Sequence, residues 1–310
     1  MEWISHVFFG PQRMRSGWRI LLFSLANPNL DIWLLGGLLL GFRLTAARIP
    51  HIQSLFIPLS MIILLIITLV VAWLMTRYVD RRPFASLGLN FHPHWWQALA
   101  WGILLGVLFQ TLMPALIFTW ETGHPFWTFN PLRMPHEWLL IVLALPYFLS
   151  IAIMEELSFR GYLLQSTMEG IGTIPAILFT SGLFGIAHWG EGGLDPVLSN
   201  ALWGIVWSFT VIRTRALWWA IGFHFSRDFT IAILQYPTSG PYLGDLVFIL
   251  SVGLLILGAL TLTPTPQAKT LWDRYIHPAP WPPWRRRAQS ETESLPDEQS
   301  LEDAKWTGEK

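Results

Sequence analysis

The sequence contains no cysteine and few charged residues. Of its 310 residues, 53% are hydrophobic and only 13% are charged, against roughly 25% charged residues in a typical soluble domain. The absence of cysteine excludes thiol catalysis, disulfide bonds and thiolate metal sites. The formal net charge is zero, so nothing in the charge balance predicts binding to nucleic acid. So little charge cannot solvate the surface of a soluble enzyme, and we interpret the chain as a polytopic membrane protein.

Long apolar stretches are what the sequence has instead. A membrane-spanning helix needs about 20 mostly apolar residues, and we predict an all-α fold, a membrane helix bundle of about eight transmembrane helices. The candidate stretches are residues 20–42, 56–75, 96–118, 138–164, 174–188, 197–212, 217–234 and 246–262. Two glycine pairs, Gly37 with Gly41 and Gly102 with Gly106, are spaced to allow close helix packing.

Basic residues in the connecting segments predict the orientation, because Lys and Arg concentrate on the cytoplasmic side of membrane proteins. They cluster in the N-terminus, in the second and sixth connections and in the tail: Arg13, Arg15, Arg19, Arg77, Arg81, Arg82, Arg213, Arg215, Lys269, Arg274 and 285–287. We therefore expect a multi-pass protein of the cell membrane with both termini in the cytoplasm. The N-terminus lacks the pattern of a cleavable signal peptide.

Ionisable side chains inside a span cost about 3 kcal/mol or more each on insertion scales, so they usually mark function. The fourth stretch carries Glu155, Glu156 and Arg160. On a helix Glu156 and Arg160 are neighbours four residues apart and can form an ion pair, whereas Glu155 points about 100° away. Such a group can supply one fixed anion and one tunable general base. The alternative is an ordinary ion pair at the membrane interface.

Histidines enter the fifth and seventh stretches. Phe184 and His188 share one helical face, and His224 and Asp228 share another. The second pair can orient an imidazole, ligate a metal or direct hydrogen bonds at a developing oxyanion, although each histidine alone can also be a structural polar residue. Because isolated charges facing lipid would be costly, we predict that these groups converge on one polar cavity, which is either a catalytic site or a transport pathway.

Several catalytic schemes are excluded by the residues present. There is no Gly-x-Ser-x-Gly elbow and no Gly-x4-Gly-Lys phosphate loop. The zinc-protease pattern His-Glu-x-x-His begins at His136 and Glu137, but Leu140 takes its last position. The catalytic scheme that remains is one in which a carboxylate and imidazoles surround a water molecule. Either a glutamate activates the water directly, or glutamate and histidine bind a divalent metal that does so.

The motifs in this order resemble those of the CPBP intramembrane proteases, also called the Abi or CAAX-protease family, which includes the type II CAAX prenyl endopeptidases. The family pattern stands here as Glu155-Glu156-x-x-x-Arg160, Phe184-x-x-x-His188 and His224-x-x-x-Asp228. The run from Phe159 to Gly161 and residues 82–89 also look like family segments. The resemblance implies an all-helical, membrane-embedded peptidase of the glutamic type. Its substrate would be a membrane-associated protein or peptide, prenylated or not, and membrane lipids would be its other partners.

The resemblance also implies a role for each residue of the first two motifs. Glu155 is the base that activates water, with His188 assisting, while Glu156 and Arg160 brace the site. No cofactor is required on this mechanism. A divalent metal such as zinc, held by Glu155, His188 and His224, is the alternative that the sequence leaves open.

The third motif departs from the best understood family members, which carry Asn where this chain has Asp228. By resemblance, His224 and Asp228 occupy the positions linked with the oxyanion. An ionised carboxylate would repel an oxyanion, so we expect Asp228 either to be protonated or to orient His224 from behind.

These observations divide the chain into four parts. We predict N-terminal membrane helices at residues 1–136, a CPBP-like protease core at 137–235, a last membrane helix at 236–263 and a disordered cytoplasmic tail at 264–310. The leading hypothesis is an intramembrane endopeptidase. The alternatives are a proton- or ion-coupled transporter and a non-catalytic membrane immunity or scaffold protein.

Overall fold

The computed structural model describes residues 14–27, 53–91, 93–124, 137–191, 193–234, 253 and 271–278. Within these ranges the chain forms helices and no strand, as the all-α prediction requires. The α-helices are α1 (Ser16–Ala26), α2 (Gln53–Leu74), α3 (Trp95–Thr122), α4 (Glu137–Glu156), α5 (Leu164–Ile171), α6 (Thr173–Ala187), α7 (Leu194–Thr214), α8 (Trp218–Leu234) and α9 (Leu271–Tyr275). Short 3-10 helices lie at Phe84–Leu87 and Trp189–Glu191.

Three helical windows within the described residues are long and apolar enough to cross a membrane. They are Pro58–Val79, Trp95–Leu112 and Ile141–Ile171, and they coincide with the second, third and fourth predicted stretches. The fifth, sixth and seventh predicted stretches form helices that are not among these windows, so the total of about eight spans stays a prediction. Most of the first stretch, and the last stretch apart from Gly253, lie outside the described residues.

The helix that carries the first motif changes its winding within that motif. α4 ends at Glu156 and continues directly into a π-helical segment, Leu157–Leu163, before α5 begins. All seven residues of the π segment are buried. π-helical turns are rare and occur frequently at functional sites, and this one places Arg160 one wide turn below Glu156.

Glycine allows α3 and α8 to pack closely against each other. A Cβ atom would come within 2.9 Å of the Phe223 backbone if added at Gly102, and within 2.7 Å if added at Gly106. Real side chains do not tolerate such contacts with backbone, so the close approach depends on both glycines. The predicted packing role of this pair is confirmed. The other pair, Gly37 and Gly41, lies outside the described residues.

A buried ionic network joins α1, α5 and residues 80–82, which follow the π-helical segment Met75–Val79 at the end of α2. Asp80 lies at its centre: its Oδ1 accepts a hydrogen bond from Arg19 Nη1 at 2.9 Å, and its Oδ2 accepts one from Arg82 Nε at 3.1 Å. Arg19 also pairs with Glu169. Arg82 Nη1 donates to Gln165 Oε1 at 2.7 Å. Because Gln165 and Glu169 belong to α5, the network fixes the helix that follows the π segment.

Part of the predicted disordered tail is folded onto the helices. After α9, the side chain of Ile276 is buried in the same apolar core as Leu87. Asp273 Oδ1 lies 3.1 Å from Nε of Arg215, at the turn between α7 and α8. An apolar contact and an ion pair therefore dock this stretch, and the predicted disorder does not extend through residues 271–278. The other residues of the segment 264–310 lie outside the described residues.

Candidate functional site

The structure brings the six sequence-predicted site residues together. They come from three places in the fold, namely the end of α4 with the π segment, the end of α6 and the middle of α8: Glu155, Glu156, Arg160, His188, His224 and Asp228. Each side chain lies 4.0 Å or less from another member of the group. Groups up to 73 positions apart in the sequence thus share one polar site between the helices.

Glu156 is the centre of the buried half of the site. Its Oε1 accepts a hydrogen bond from Arg160 Nη1 at 3.0 Å and lies 2.9 Å from Nδ1 of His224. The three side chains are 0%, 1% and 3% exposed, in that order. A carboxylate at Nδ1 accepts the Nδ1–H bond and so fixes the orientation of the imidazole. The Nε2 atom of His224 is consequently directed away from Glu156.

Glu155 occupies the partly open half of the site, between two imidazoles. Its Oε2 lies 4.0 Å from Nε2 of His188 and 3.7 Å from Nε2 of His224. His188 Nδ1 lies 2.7 Å from the carbonyl oxygen of Phe184, which accepts a hydrogen bond from Nδ1–H and leaves the Nε2 lone pair facing Glu155. The side chains of Glu155 and His188 are 16% and 15% exposed, although Oε2 of Glu155 is itself buried and makes no direct hydrogen bond.

Asp228 lies on the same side of His224 as Glu155 does. Its Oδ2 is 3.3 Å from Nε2 of His224, and its Oδ1 accepts a hydrogen bond from Arg227 Nη1 at 2.7 Å. The position behind the imidazole belongs to Glu156. Successive turns of α8 place the Asp228 carboxylate at the ring nitrogen opposite to the one that contacts Glu156, and the two alternatives for Asp228, protonation or orientation of His224, stay predictions. The pairing with Arg227 offsets the charge of Asp228.

Sequence reasoning missed an aromatic contributor to the site. Trp207 on α7 stacks on the imidazole of His224, with ring centroids 4.3 Å apart and planes at 21°. The guanidinium of Arg160 lies over Phe184, 4.1 Å from its centroid, and 5.0 Å from that of Trp207. α7 carries no ionisable motif, so no sequence signal distinguished this tryptophan from the other eighteen in the chain.

The sequence left open a divalent metal held by Glu155, His188 and His224. Among the residues that the structure describes, no group of three or more His, Asp or Glu side chains is arranged to hold a metal ion. Tetrahedral zinc with bonds of about 2 Å brings ligand atoms to roughly 3.3 Å from one another. The Nε2 atoms of His188 and His224 are farther than that from Glu155 Oε2, and His224 Nε2 faces Asp228. These separations are wider than the ligand spacing of tetrahedral zinc, so the geometry does not favour the metal alternative, which stays a prediction.

Comparisons with known proteins point to one family. Residues 137–230 match the family model described as type II CAAX prenyl endopeptidase Rce1-like, and this segment contains all three motifs. "Uncharacterized protein YyaK" of Bacillus subtilis (strain 168) is 24% identical over 184 residues, which cover 56% of this chain and 59% of that protein. No solved structure matches the chain. The motif resemblance is confirmed, because the matched segment contains the three motifs and the match is consistent with the CPBP family.

Proposed function

We propose that this protein is an intramembrane endopeptidase that hydrolyses peptide bonds with water activated by Glu155 and His188. The position of Glu155 carries the proposal: its Oε2 is flanked by two imidazole Nε2 atoms at 4.0 and 3.7 Å in a partly exposed polar site. These separations exceed a direct hydrogen bond and suit a bridging water molecule. The match to a family of endopeptidases supports the same reaction.

In the proposed first step, Glu155 accepts a proton from water while the water oxygen bonds to the carbonyl carbon of the scissile peptide. The Nε2 lone pair of His188 accepts the hydrogen bond from the second water proton and directs the oxygen lone pair towards that carbon. The tetrahedral intermediate then breaks its C–N bond. The amine nitrogen takes the proton that Glu155 had accepted, which restores the carboxylate and releases an acid and an amine.

His224 is the proposed source of oxyanion stabilisation. Glu156 accepts the hydrogen bond from its Nδ1 side, so a proton on Nε2 is directed at the space beside Glu155. A donor fixed before the reaction at the developing negative charge lowers the barrier, and removal of one such donor typically costs about 100- to 1000-fold in kcat. Asp228 borders the same space, and Arg227 offsets its charge.

We further propose a multi-pass protein of the cell membrane that takes membrane-associated proteins or peptides as substrates. The three apolar windows support a membrane location. Exposed arginines lie in and just after the π-helical segment Met75–Val79 that follows α2, at Arg77 and Arg81, and Arg215 lies just after α7. The positive-inside rule supports a cytoplasmic position for this end of the bundle, and we propose the same side for both termini.

The test uses the full-length protein in detergent with a fluorogenic membrane peptide and a prenylated CAAX peptide in parallel. Wild type is expected to cleave at least one of them and, in H2(18)O, to place one heavy oxygen in the new carboxyl group. Glu155→Gln and His188→Ala are expected to abolish cleavage. Asp195→Asn, a change at an exposed carboxylate on α7, is the matched control. Equal cleavage by Glu155→Gln and wild type contradicts the proposal, and ion flux without cleavage favours the transporter.

A further inference from the structure

Trp207 contacts two of the proposed site residues from a helix that carries none of the motifs. Its side chain is fully buried. Its indole stacks on the imidazole of His224 at 4.3 Å, and the guanidinium carbon of Arg160 lies 5.0 Å from the indole centroid. Both of those groups bind the same oxygen, Oε1 of Glu156. One tryptophan therefore packs against both hydrogen-bond donors to the buried carboxylate.

The orientation of the His224 ring determines which groups its two nitrogen atoms contact. Nδ1 lies 2.9 Å from Glu156, while Nε2 lies 3.3 Å from Asp228 and 3.7 Å from Glu155. Rotation about the Cβ–Cγ bond would move both nitrogens off their partners. Rotamer preference does not prevent this, because torsions of this type have broad minima. A ring stacked on the imidazole does restrict the rotation, and Trp207 is that ring.

We propose that Trp207 is a positioning residue that holds the planes of His224 and Arg160 so that both address Glu156. Aromatic stacking on the imidazole and the cation–π contact with the guanidinium supply the restraint. The predicted effect on catalysis rests on the proposed function. The predicted effect on the orientation of the imidazole is independent of it.

Trp219 provides the matched control. It lies on α8, is nearly as buried as Trp207 at 7% exposed, and stacks on Phe223 with centroids 5.4 Å apart and planes at 16°. Removing its ring costs a similar amount of packing outside the polar site. A purely structural role for Trp207 predicts that the two tryptophans behave alike.

The kinetic arm compares Trp207→Leu, Trp207→Phe and Trp219→Leu. We expect Trp207→Leu to lower kcat by about 10- to 100-fold with KM nearly unchanged, because misplacement of catalytic groups by about 1 Å has effects of that size. Trp207→Phe keeps an aromatic face and is expected to restore most of the rate. Trp219→Leu is expected to lower the melting temperature and to keep kcat. Equal loss of kcat in Trp207→Leu and Trp219→Leu would overturn the inference.

The second arm reads the imidazole directly and needs no substrate. In detergent-solubilised protein with 13C-labelled histidine, the Hε1 signal of His224 is assigned by its loss in His224→Gln. The stacked indole should shift this signal upfield. Trp207→Leu is expected to remove the shift and Trp219→Leu to keep it. An unchanged signal in Trp207→Leu refutes the positioning role even if the enzyme cleaves. A Trp207-dependent shift in a protein that cleaves nothing leaves the positioning role standing and contradicts the proposed function.

Discussion

Oε1 of Glu156 lies 2.9 Å from Nδ1 of His224, although 68 positions separate the two residues in the sequence. This contact joins the first motif to the third. It also gives the two adjacent glutamates different environments, since Glu156 is fully buried and bonded to two donors, whereas the side chain of Glu155 is 16% exposed between two imidazole nitrogens. Glu156 is therefore held by two direct contacts, whereas Oε2 of Glu155 has no direct hydrogen bond.

Glu156→Gln is expected to destabilise the protein and to abolish cleavage. The substitution leaves Arg160 buried without a carboxylate partner, and breaking a buried ion pair from one side typically costs about 3–5 kcal/mol. Thermal unfolding in detergent measures the loss. The double variant Glu156→Gln with Arg160→Met removes both charges and should recover part of the stability without recovering activity. A Glu156→Gln protein as stable as wild type would show that the pair contributes nothing.

Asp228→Asn should retain activity within a few-fold of wild type, whereas Asp228→Leu should lower activity further, because it leaves Nε2 of His224 and Nη1 of Arg227 without their polar partner. The amide keeps the size of the carboxylate and adds a hydrogen-bond donor on the side that faces Glu155. Steady-state cleavage assays with both variants check this. If Asp228→Asn is as inactive as Asp228→Leu, the negative charge beside His224 is itself required.

Chelators are expected to leave cleavage unchanged. The site residues do not have the spacing of metal ligands, and the mechanism proposed here places water between Glu155 and His188. Activity after dialysis against EDTA, together with elemental analysis of the purified protein, measures metal dependence. Loss of activity on chelation that added zinc restores would replace the glutamate mechanism with a metal-assisted one.

Asp80→Asn should lower stability more than it lowers kcat. Asp80 accepts hydrogen bonds from two buried arginines, Arg19 and Arg82. Arg19 keeps its pairing with Glu169, whereas Arg82 loses its carboxylate partner, and breaking a buried ion pair from one side typically costs about 3–5 kcal/mol. The network contacts the π segment through the Tyr162 hydroxyl, which donates to Asp80 Oδ1 at 3.3 Å, and contains none of the proposed catalytic groups. The melting temperature of the variant, compared with that of Arg77→Gln at an exposed position, tests the effect. Equal melting temperatures for the two variants would contradict it.

The sequence alone determined the all-helical class of this protein and the polar residues that meet in one site. Scarcity of charge predicted membrane helices, and spacing along a helix predicted the pair of Glu156 with Arg160, which the structure contains. Both inferences depend on local chain geometry, in which residues four apart always share a helical face. The motif set that identified the family segment is local in the same sense.

Only the tertiary structure decided which groups meet across helices. It placed Glu156 at Nδ1 of His224 and Asp228 at Nε2. It stacked Trp207, from a helix without a motif, on the same imidazole, and it paired Arg19 with Glu169 across 150 positions. Such contacts depend on how helices rotate and cross when they pack, and helical periodicity alone leaves that rotation open. Buried charges are costly without partners, so packing satisfies them with whatever polar group the neighbouring helix presents.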